Sequence, residues 1–358
     1  MKKTLIVLFL LFISVFEASA VDVSAKSAIL YEANTGKILY EKNIHEKRPI
    51  ASTTKIMTAL LVIENGDLED NVEIKKEQVG IEGTSLYLKE GEEISVKTLL
   101  YGLMLKSGND AAEALAAYIA GDVENFVKMM NKKADDLEMK NTNFMNPHGL
   151  PDDNHYSTAF DMALLSGYAM ENATFREIVS TKNYIAEGRS FKNHNKLLSM
   201  REEIDGIKTG YTKTAGRCLV SSAKKEGMRL VTITLSAPDD WDDHLKLYDF
   251  GFDNFKTVTL CEKDEYIAKL PVAGCGEIEI IVKNGFKTTV SSDKIIEKQI
   301  YLPRFCYAPI KKGEKMGELI ITDDGNVIEK IDLISNAEIN LPPKKGFLEK
   351  LLDKIKNG

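Results

Sequence analysis

A serine and a lysine stand three residues apart in Ala51-Ser52-Thr53-Thr54-Lys55-Ile56-Met57, at the head of an apolar run that continues to Ile63. On a helix, positions i and i+3 share a face one turn apart, so the Lys55 amine reaches the Ser52 hydroxyl. A serine is a weak nucleophile until an adjacent base takes its proton. The pair thus reads as a nucleophile with its own base. Ile56, Met57, Leu60, Leu61, Val62 and Ile63 cover most of the circumference, which predicts a buried helix. A charged lysine there is costly unless it has a use or a partner. The tetrad alone is a weak signal. Ser-x-x-Lys also begins at Ser221, Ser222 and Ser291, where a lysine on a solvated face is the simpler reading.

Two further clusters carry matching chemistry. Ser107-Gly108-Asn109 breaks two helix-patterned stretches, 93–105 and 110–119. The plain reading is a tight turn in which Ser107 or Asn109 caps the second helix. The functional reading aims a hydroxyl and an amide into a cleft. Lys208-Thr209-Gly210-Tyr211 lies on a strand-like stretch. There Lys208 offers a fixed charge and Thr209 a hydroxyl, which suits a carboxylate. Gly210, without a side chain, would let a substrate backbone lie close. His148 and His155 have no partner spacing for a Ser-His mechanism, and their segment reads as structural. Within it, Thr158-x-x-Asp161 has the form of a capping box.

Composition narrows the class. A net charge of −7 argues against a nucleic-acid partner. The five histidines form no His-Glu-x-x-His and the four cysteines no Cys-x-x-Cys, so no metal site is expected, and no cofactor. Met1-Lys2-Lys3, an apolar run from Leu5 to Phe16 and Ala18-Ser19-Ala20 describe a secretory signal peptide over 1–20. The protein is then expected to work outside the cytoplasm, at the cell wall or the outer face of the membrane. There a disulfide is open, with Cys261 and Cys275 the nearest pair.

The elements that must position these residues follow in order. Ala28–Glu32 and Lys37–Glu41 flank Asn34-Thr35-Gly36, a hairpin. Pro49 precedes the Ser52 helix and keeps its entry extended. Ser52 falls near the helix N-terminus, where free N–H groups favour developing negative charge. Cys218–Ser222 and Leu230–Leu235 make a second hairpin. Strands from both ends thus bracket a helical middle, an α+β arrangement of an antiparallel sheet flanked by helices over 21–255. Residues 256–342 carry short strands at 277–282, 298–302 and 318–321, which suggests a small all-β sandwich. In 343–358, Phe347, Leu348, Leu351, Leu352 and Ile355 share one helix face and lysines the other, a candidate anchor for a membrane surface.

Ser-x-x-Lys, Ser-x-Asn and Lys-Thr-Gly in this order resemble the signature of the penicillin-binding protein and serine β-lactamase superfamily. The resemblance covers about residues 24–255. It is closest to the low-molecular-mass D-alanyl-D-alanine carboxypeptidases, whose middle motif also reads Ser-Gly-Asn. It implies a β-lactamase/transpeptidase-like catalytic domain, a β-rich second domain, and no cofactor. Carried over by position, Ser52 is the acylated nucleophile and Lys55 its base. Ser107 and Asn109 assist proton transfer and orientation, and Lys208 and Thr209 hold a terminal carboxylate. The backbone N–H groups of Ser52 and Tyr211 form an oxyanion hole. The implied substrate is a peptidoglycan stem peptide ending in D-Ala-D-Ala, with β-lactam antibiotics as covalent inhibitors. Two alternatives are a serine β-lactamase and a wall-binding relative that has lost turnover. Class A β-lactamases deacylate through an added Glu, which typically has Asn four residues later; no Glu of this chain does.

Overall fold

The computed structural model describes residues 21–341, so the expected signal peptide and the C-terminal amphipathic segment lie outside the described residues. The chain folds into two compact units that are not contiguous in sequence. The first comprises residues 21–30, Tyr40–Ser222 and Thr232–Phe250. The second takes Tyr31–Leu39, Ala223–Val231 and the chain from Gly251 onward.

Strands β1 (Ser27–Glu32), β2 (Lys37–Lys42), β7 (Ile204–Thr212), β8 (Gly216–Lys225) and β9 (Met228–Leu235) form one sheet in the order β2-β1-β9-β8-β7. Lys26 N–H bonds the Ser236 carbonyl and Ala33 N–H the Arg229 carbonyl, so β1 runs antiparallel to β9. The expected contribution of strands from both ends is what the sheet shows, and β7 forms one edge.

Between the hairpins lie α1 (Lys55–Asn65), β3 (Asn71–Glu73), β4 (Glu93–Ser95), α2 (Val96–Tyr101), α3 (Asn109–Ala120), α4 (Val123–Asp136), α5 (Ala159–Ala169), α6 (Ala173–Ser180), β5 (Asn183–Ala186) and β6 (Arg189–Lys192). Helix α7 (Asp240–Asn254) closes the run. Every residue of α1 from Lys55 to Val62 is buried, with α3, α4, α5, α6 and β7 packed around it. An all-round apolar helix requires such an enclosure. The stretch 93–105 is not one helix as its pattern predicts. Glu93–Ser95 pairs with Asn71–Glu73, and Ser95 accepts from Thr98 N–H as the cap from which α2 starts. A π-helical turn, Gly102–Lys106, then ends at Ser107, whose φ of 70° is left-handed.

The second unit is all-β. β10 (Phe255–Cys261) pairs with β13 (Phe286–Ser291). β11 (Tyr266–Val272), β12 (Gly276–Val282), β16 (Asn326–Ser335), β15 (Lys315–Asp323) and β14 (Ile296–Tyr301) form a five-stranded antiparallel sheet in that order. Leu260 and Cys261 of β10 share one core with Leu270, Ile280, Ile321 and Leu333 of the larger sheet. Both hairpin tips join this unit through Glu32. Its fully buried carboxylate accepts from Thr35 Oγ1 at 2.6 Å and Arg229 N–H at 3.1 Å, and Thr289 Oγ1 lies 3.4 Å away. All four cysteines are free thiols; Cys261 lies in the core of this unit, and Cys275, in the β11–β12 turn with its N–H on the Val272 carbonyl, packs against the same core without being bonded to Cys261.

One loop fixes the entry to α1. Asn146 Oδ1 accepts from the N–H groups of His148 and Gly149, folding residues 146–150 into a tight turn against the 3-10 turn Ala51–Thr54. Gly149 has a φ of +85°, and a Cβ there would strike the Ala51 carbonyl. Gly149→Ala is therefore expected to cost roughly 1–3 kcal/mol from the left-handed backbone alone. A denaturation midpoint within error of wild type would contradict that packing.

Candidate active site

The 3-10 turn places Ser52 one turn ahead of Lys55, half-buried, while Lys55 is fully buried. Lys55 Nζ lies 3.0 Å from Ser52 Oγ, 2.6 Å from Asn109 Oδ1 and 2.7 Å from the His148 carbonyl. An ammonium has three donors, and here each has an acceptor. Burial, and secondarily the charge of Lys208, push this ammonium well below the ordinary lysine range; Asp110 acts in the opposite direction. With the amine neutral, two N–H groups keep Asn109 and His148, and the lone pair faces the Ser52 hydroxyl. That arrangement can accept the serine proton without rearrangement.

Asn109 is held on its other side. Its Nδ2 donates to the Glu82 carbonyl at 2.5 Å and its backbone N–H to the Thr84 carbonyl at 2.7 Å. Neither Ser107 nor Asn109 caps α3, whose N-cap, Gly108, makes no side-chain cap bond. Ser52, Ser107, Thr209, Gly210 and Tyr211 instead line one cleft of about 300 Å³, with Thr84, His194, Arg217, Asp240 and Trp241. Tyr211 is 66% exposed at its mouth.

Lys208 and Gly210 differ in detail from expectation. Lys208 is buried, and its Nζ donates to the Thr209 carbonyl at 2.8 Å. Burial lowers it to about 7. A Cβ on Gly210 would lie 3.1 Å from the backbone nitrogens of Ser52 and Thr53. The Cβ side of Gly210 is thus filled by the turn that carries Ser52, while Gly210 also lines the cleft. This brings the Ser52 N–H beside the Gly210-Tyr211 segment.

The histidines are structural, as their spacing predicts. Thr54 Oγ1 donates to the Ala51 carbonyl, so it accepts from His155 Nε2–H at 2.8 Å, while His155 Nδ1 accepts from Met145 N–H. Burial holds this imidazole neutral, its pKa lowered to about 4. His148 Nδ1 accepts from Leu150 N–H, which leaves Nε2–H to donate to Glu113 at 3.0 Å. Thr158 caps α5, but the Asp161 carboxylate turns to Asn141 N–H and Thr142 Oγ1, forming only half of the capping box.

Sequence reasoning missed the His148 carbonyl as a lysine partner, since backbone groups leave no mark in a motif. It missed Asp110, one residue past a motif it used. It also missed the Arg217 guanidinium, which holds Asp240 at 2.6 Å and stands 5.6 Å over the Trp241 ring. Asp240 and Trp241 are neighbours in the chain, but no spacing ties them to Arg217.

Residues 14–239 match the family described as D-alanyl-D-alanine carboxypeptidase, and residues 255–340 match the C-terminal domain of penicillin-binding protein 5. The chain is 35% identical over 342 residues to the D-alanyl-D-alanine carboxypeptidase DacF of Bacillus subtilis, covering 90% of this chain and 87% of that one. It is 36% identical to DacC of Escherichia coli, covering 94% and 88%. Among solved structures, penicillin-binding protein 5 from Haemophilus influenzae superposes with a TM-score of 0.78 at 30% identity, covering 89% of this chain and 98% of that chain.

The electrostatics are testable directly. Lys55 should titrate well below the ordinary lysine value of 10.5, followed by ¹³Cε NMR. Lys208→Met removes a neighbouring positive charge and should move that titration upward. An unchanged or lower Lys55 titration in the variant would mean that Lys208 does not act on it.

Proposed function

As this chain belongs to the D-alanyl-D-alanine carboxypeptidase family, we propose that Ser52 is its acylated nucleophile and Lys55 the base that activates it. The protein is a serine-type D-Ala-D-Ala carboxypeptidase of the penicillin-binding group, acting on peptidoglycan. The observation that carries the residue assignment is the Lys55 amine, buried and 3.0 Å from Ser52 Oγ with two other acceptors holding it in place. Ser52 Oγ attacks the penultimate carbonyl as its proton passes to Lys55. The amide bond to the last residue breaks, and that proton returns to the departing amine. Water then hydrolyses the ester: Lys55 takes a proton from the water and passes it to the departing Ser52 Oγ, which restores the free enzyme.

The remaining roles follow from position. The Ser52 and Tyr211 N–H groups receive the developing oxyanion; elsewhere, losing one such donor costs ~10²–10³ in rate. Ser107 lines the cleft beside Ser52 and relays the proton, and Asn109 orients Lys55. The Thr209 hydroxyl meets the substrate carboxylate, and Lys208 behind it supplies positive field. The substrate is a wall stem peptide ending in D-Ala-D-Ala, and β-lactams acylate the same serine.

A β-lactamase reading is disfavoured by the missing Glu with Asn at i+4, and by Gly108, where class A β-lactamases commonly have Asp. A dead wall-binding relative is disfavoured by three intact motifs. Water should therefore attack a penicilloyl ester poorly. We expect a long-lived penicillin adduct on Ser52 and much faster release of D-Ala from a D-Ala-D-Ala peptide. Ser52→Ala should abolish both, read by mass spectrometry of the adduct and by a D-Ala assay. Rapid penicillin turnover without D-Ala release would favour the lactamase.

We further propose that the protein is exported by its N-terminal signal and acts at the wall. The catalytic domain spans 21–255 and the β domain 256–342. The basic amphipathic stretch 343–358 is proposed to hold the enzyme at an anionic membrane surface. Among the described residues no helix is long and apolar enough to cross a membrane. Truncation before Gly346 should leave soluble-peptide activity intact and lower binding to anionic vesicles, with salt weakening the binding of the full chain. Equal partitioning of both forms would assign the stretch to packing.

A further inference from the structure

Asp110 follows the middle motif directly and is 1% exposed. Its carboxylate accepts from Ser85 Oγ at 2.6 Å, Leu86 N–H at 2.9 Å, Leu88 N–H at 3.2 Å and Ala111 N–H at 2.9 Å. Three of these donors belong to the segment 82–88, which has no regular secondary structure of its own. A buried carboxylate with several donors is a firm anchor for a loop, because each N–H would otherwise be left without water.

That segment touches the reaction machinery. Its Glu82 carbonyl takes Asn109 Nδ2 and its Thr84 carbonyl takes Asn109 N–H. Gly83, between them, has a φ of +89°, and a Cβ there would sit 2.8 Å from Asn109 Nδ2. Thr84 itself lines the cleft beside Ser52 and Ser107. Leu86, pinned by Asp110, packs against Gly108; a Cβ on Gly108 would come within 2.6 Å of Leu86 Cγ.

We infer that Asp110 is a positioning residue for the reaction: it fixes the segment 82–88, the segment fixes Asn109, and Asn109 aims the Lys55 amine at Ser52. The inference rests on the Ser52–Lys55 reading given above. The charged groups that act on Lys55 are Lys208 from β7 and Asp110 from α3, with opposite signs. Asp110 therefore has two separable effects. One is geometric and sets the rate when Lys55 is fully neutral. The other is electrostatic and sets the pH at which it becomes neutral.

The test uses the full chain and the rate of benzylpenicillin acylation of Ser52 across pH, followed by mass spectrometry. Wild type comes first: no adduct there would sink the nucleophile reading, not this one. In Asp110→Asn, an amide NH₂ must meet backbone N–H donors, so the segment loosens while bulk is kept. The high-pH plateau rate should drop on the order of tenfold to a hundredfold, as misplaced catalytic groups do. The acid limb should move to lower pH, because the anion that favours the Lys55 ammonium is gone. A folded Asp110→Asn with an unchanged plateau, or with a lower plateau and an unmoved acid limb, overturns the inference. Should that variant fail to fold, Ser85→Ala decides. It keeps the charge and removes one tether, so its plateau should fall by less with the acid limb in place; an unchanged plateau overturns the inference.

Discussion

A lysine amine with no access to water is the constraint on which this catalytic unit depends. Each of its hydrogens needs an acceptor, since an unpaired buried donor costs about 1–3 kcal/mol. The acceptors come from three separate parts of the chain: the 3-10 turn, the start of α3 and the loop ahead of α5. Satisfying one amine thus draws distant segments together. The neighbourhood bears the marks of that demand. Ala51 has a φ of 47°, Ser107 one of 70° and Gly149 one of 85°. Backbone in that region is unfavourable for residues with a side chain, and it persists where surrounding contacts over-determine it.

The same hydrogen-bond demands set the proposed base, Lys55, apart from the two histidines nearest to it. Both rings of His148 and His155 have their nitrogens committed, one accepting and one donating, so neither has a lone pair for Ser52. They act one step back. His155 braces Thr54, which braces the Ala51 carbonyl; His148, tied to Glu113, presents its own carbonyl to Lys55. A burial that lowers a histidine to about 4 leaves it a neutral strut, whereas the same burial brings a lysine toward the range in which a base is useful.

Much of this was legible in the sequence. The three motifs, the two hairpins and the buried character of α1 follow from residue types and spacing, because period and turn chemistry are local properties. Less local features were not. The break of 93–105 into β4, α2 and a π-helical turn depends on pairing with Asn71–Glu73 and on the Ser95 cap, and an apolar period does not reveal either. In the second unit, β12, β14 and β15 announce themselves, while in β10, β13 and β16 polar residues separate the apolar ones and Pro271 interrupts β11. The β1–β2 hairpin tip meets that unit at Thr289, through Lys37 at 2.7 Å, Thr35 at 3.0 Å and Glu32 at 3.4 Å, contacts with no sequence period. The cysteines show the limit of counting. Proximity in sequence suggested Cys261 with Cys275, yet Cys261 fills an apolar core and behaves there as a small hydrophobe.

Lys208 is the second buried lysine of the site. Among the described residues its Nζ donates to the Thr209 carbonyl and pairs with no carboxylate, and burial lowers it to about 7. A protein that buries a cation without an anion leaves a positive field directed at whatever binds in front of it. Thr209 and Gly210, which follow Lys208 on the edge strand β7, line the cleft together with Ser52. A ligand carboxylate there would complete the missing pair and favour the charged form of Lys208. That charge in turn disfavours the ammonium of Lys55. On the proposed assignment, a substrate carboxylate beside Lys208 would thus favour the neutral form of Lys55, coupling recognition to activation through two buried lysines.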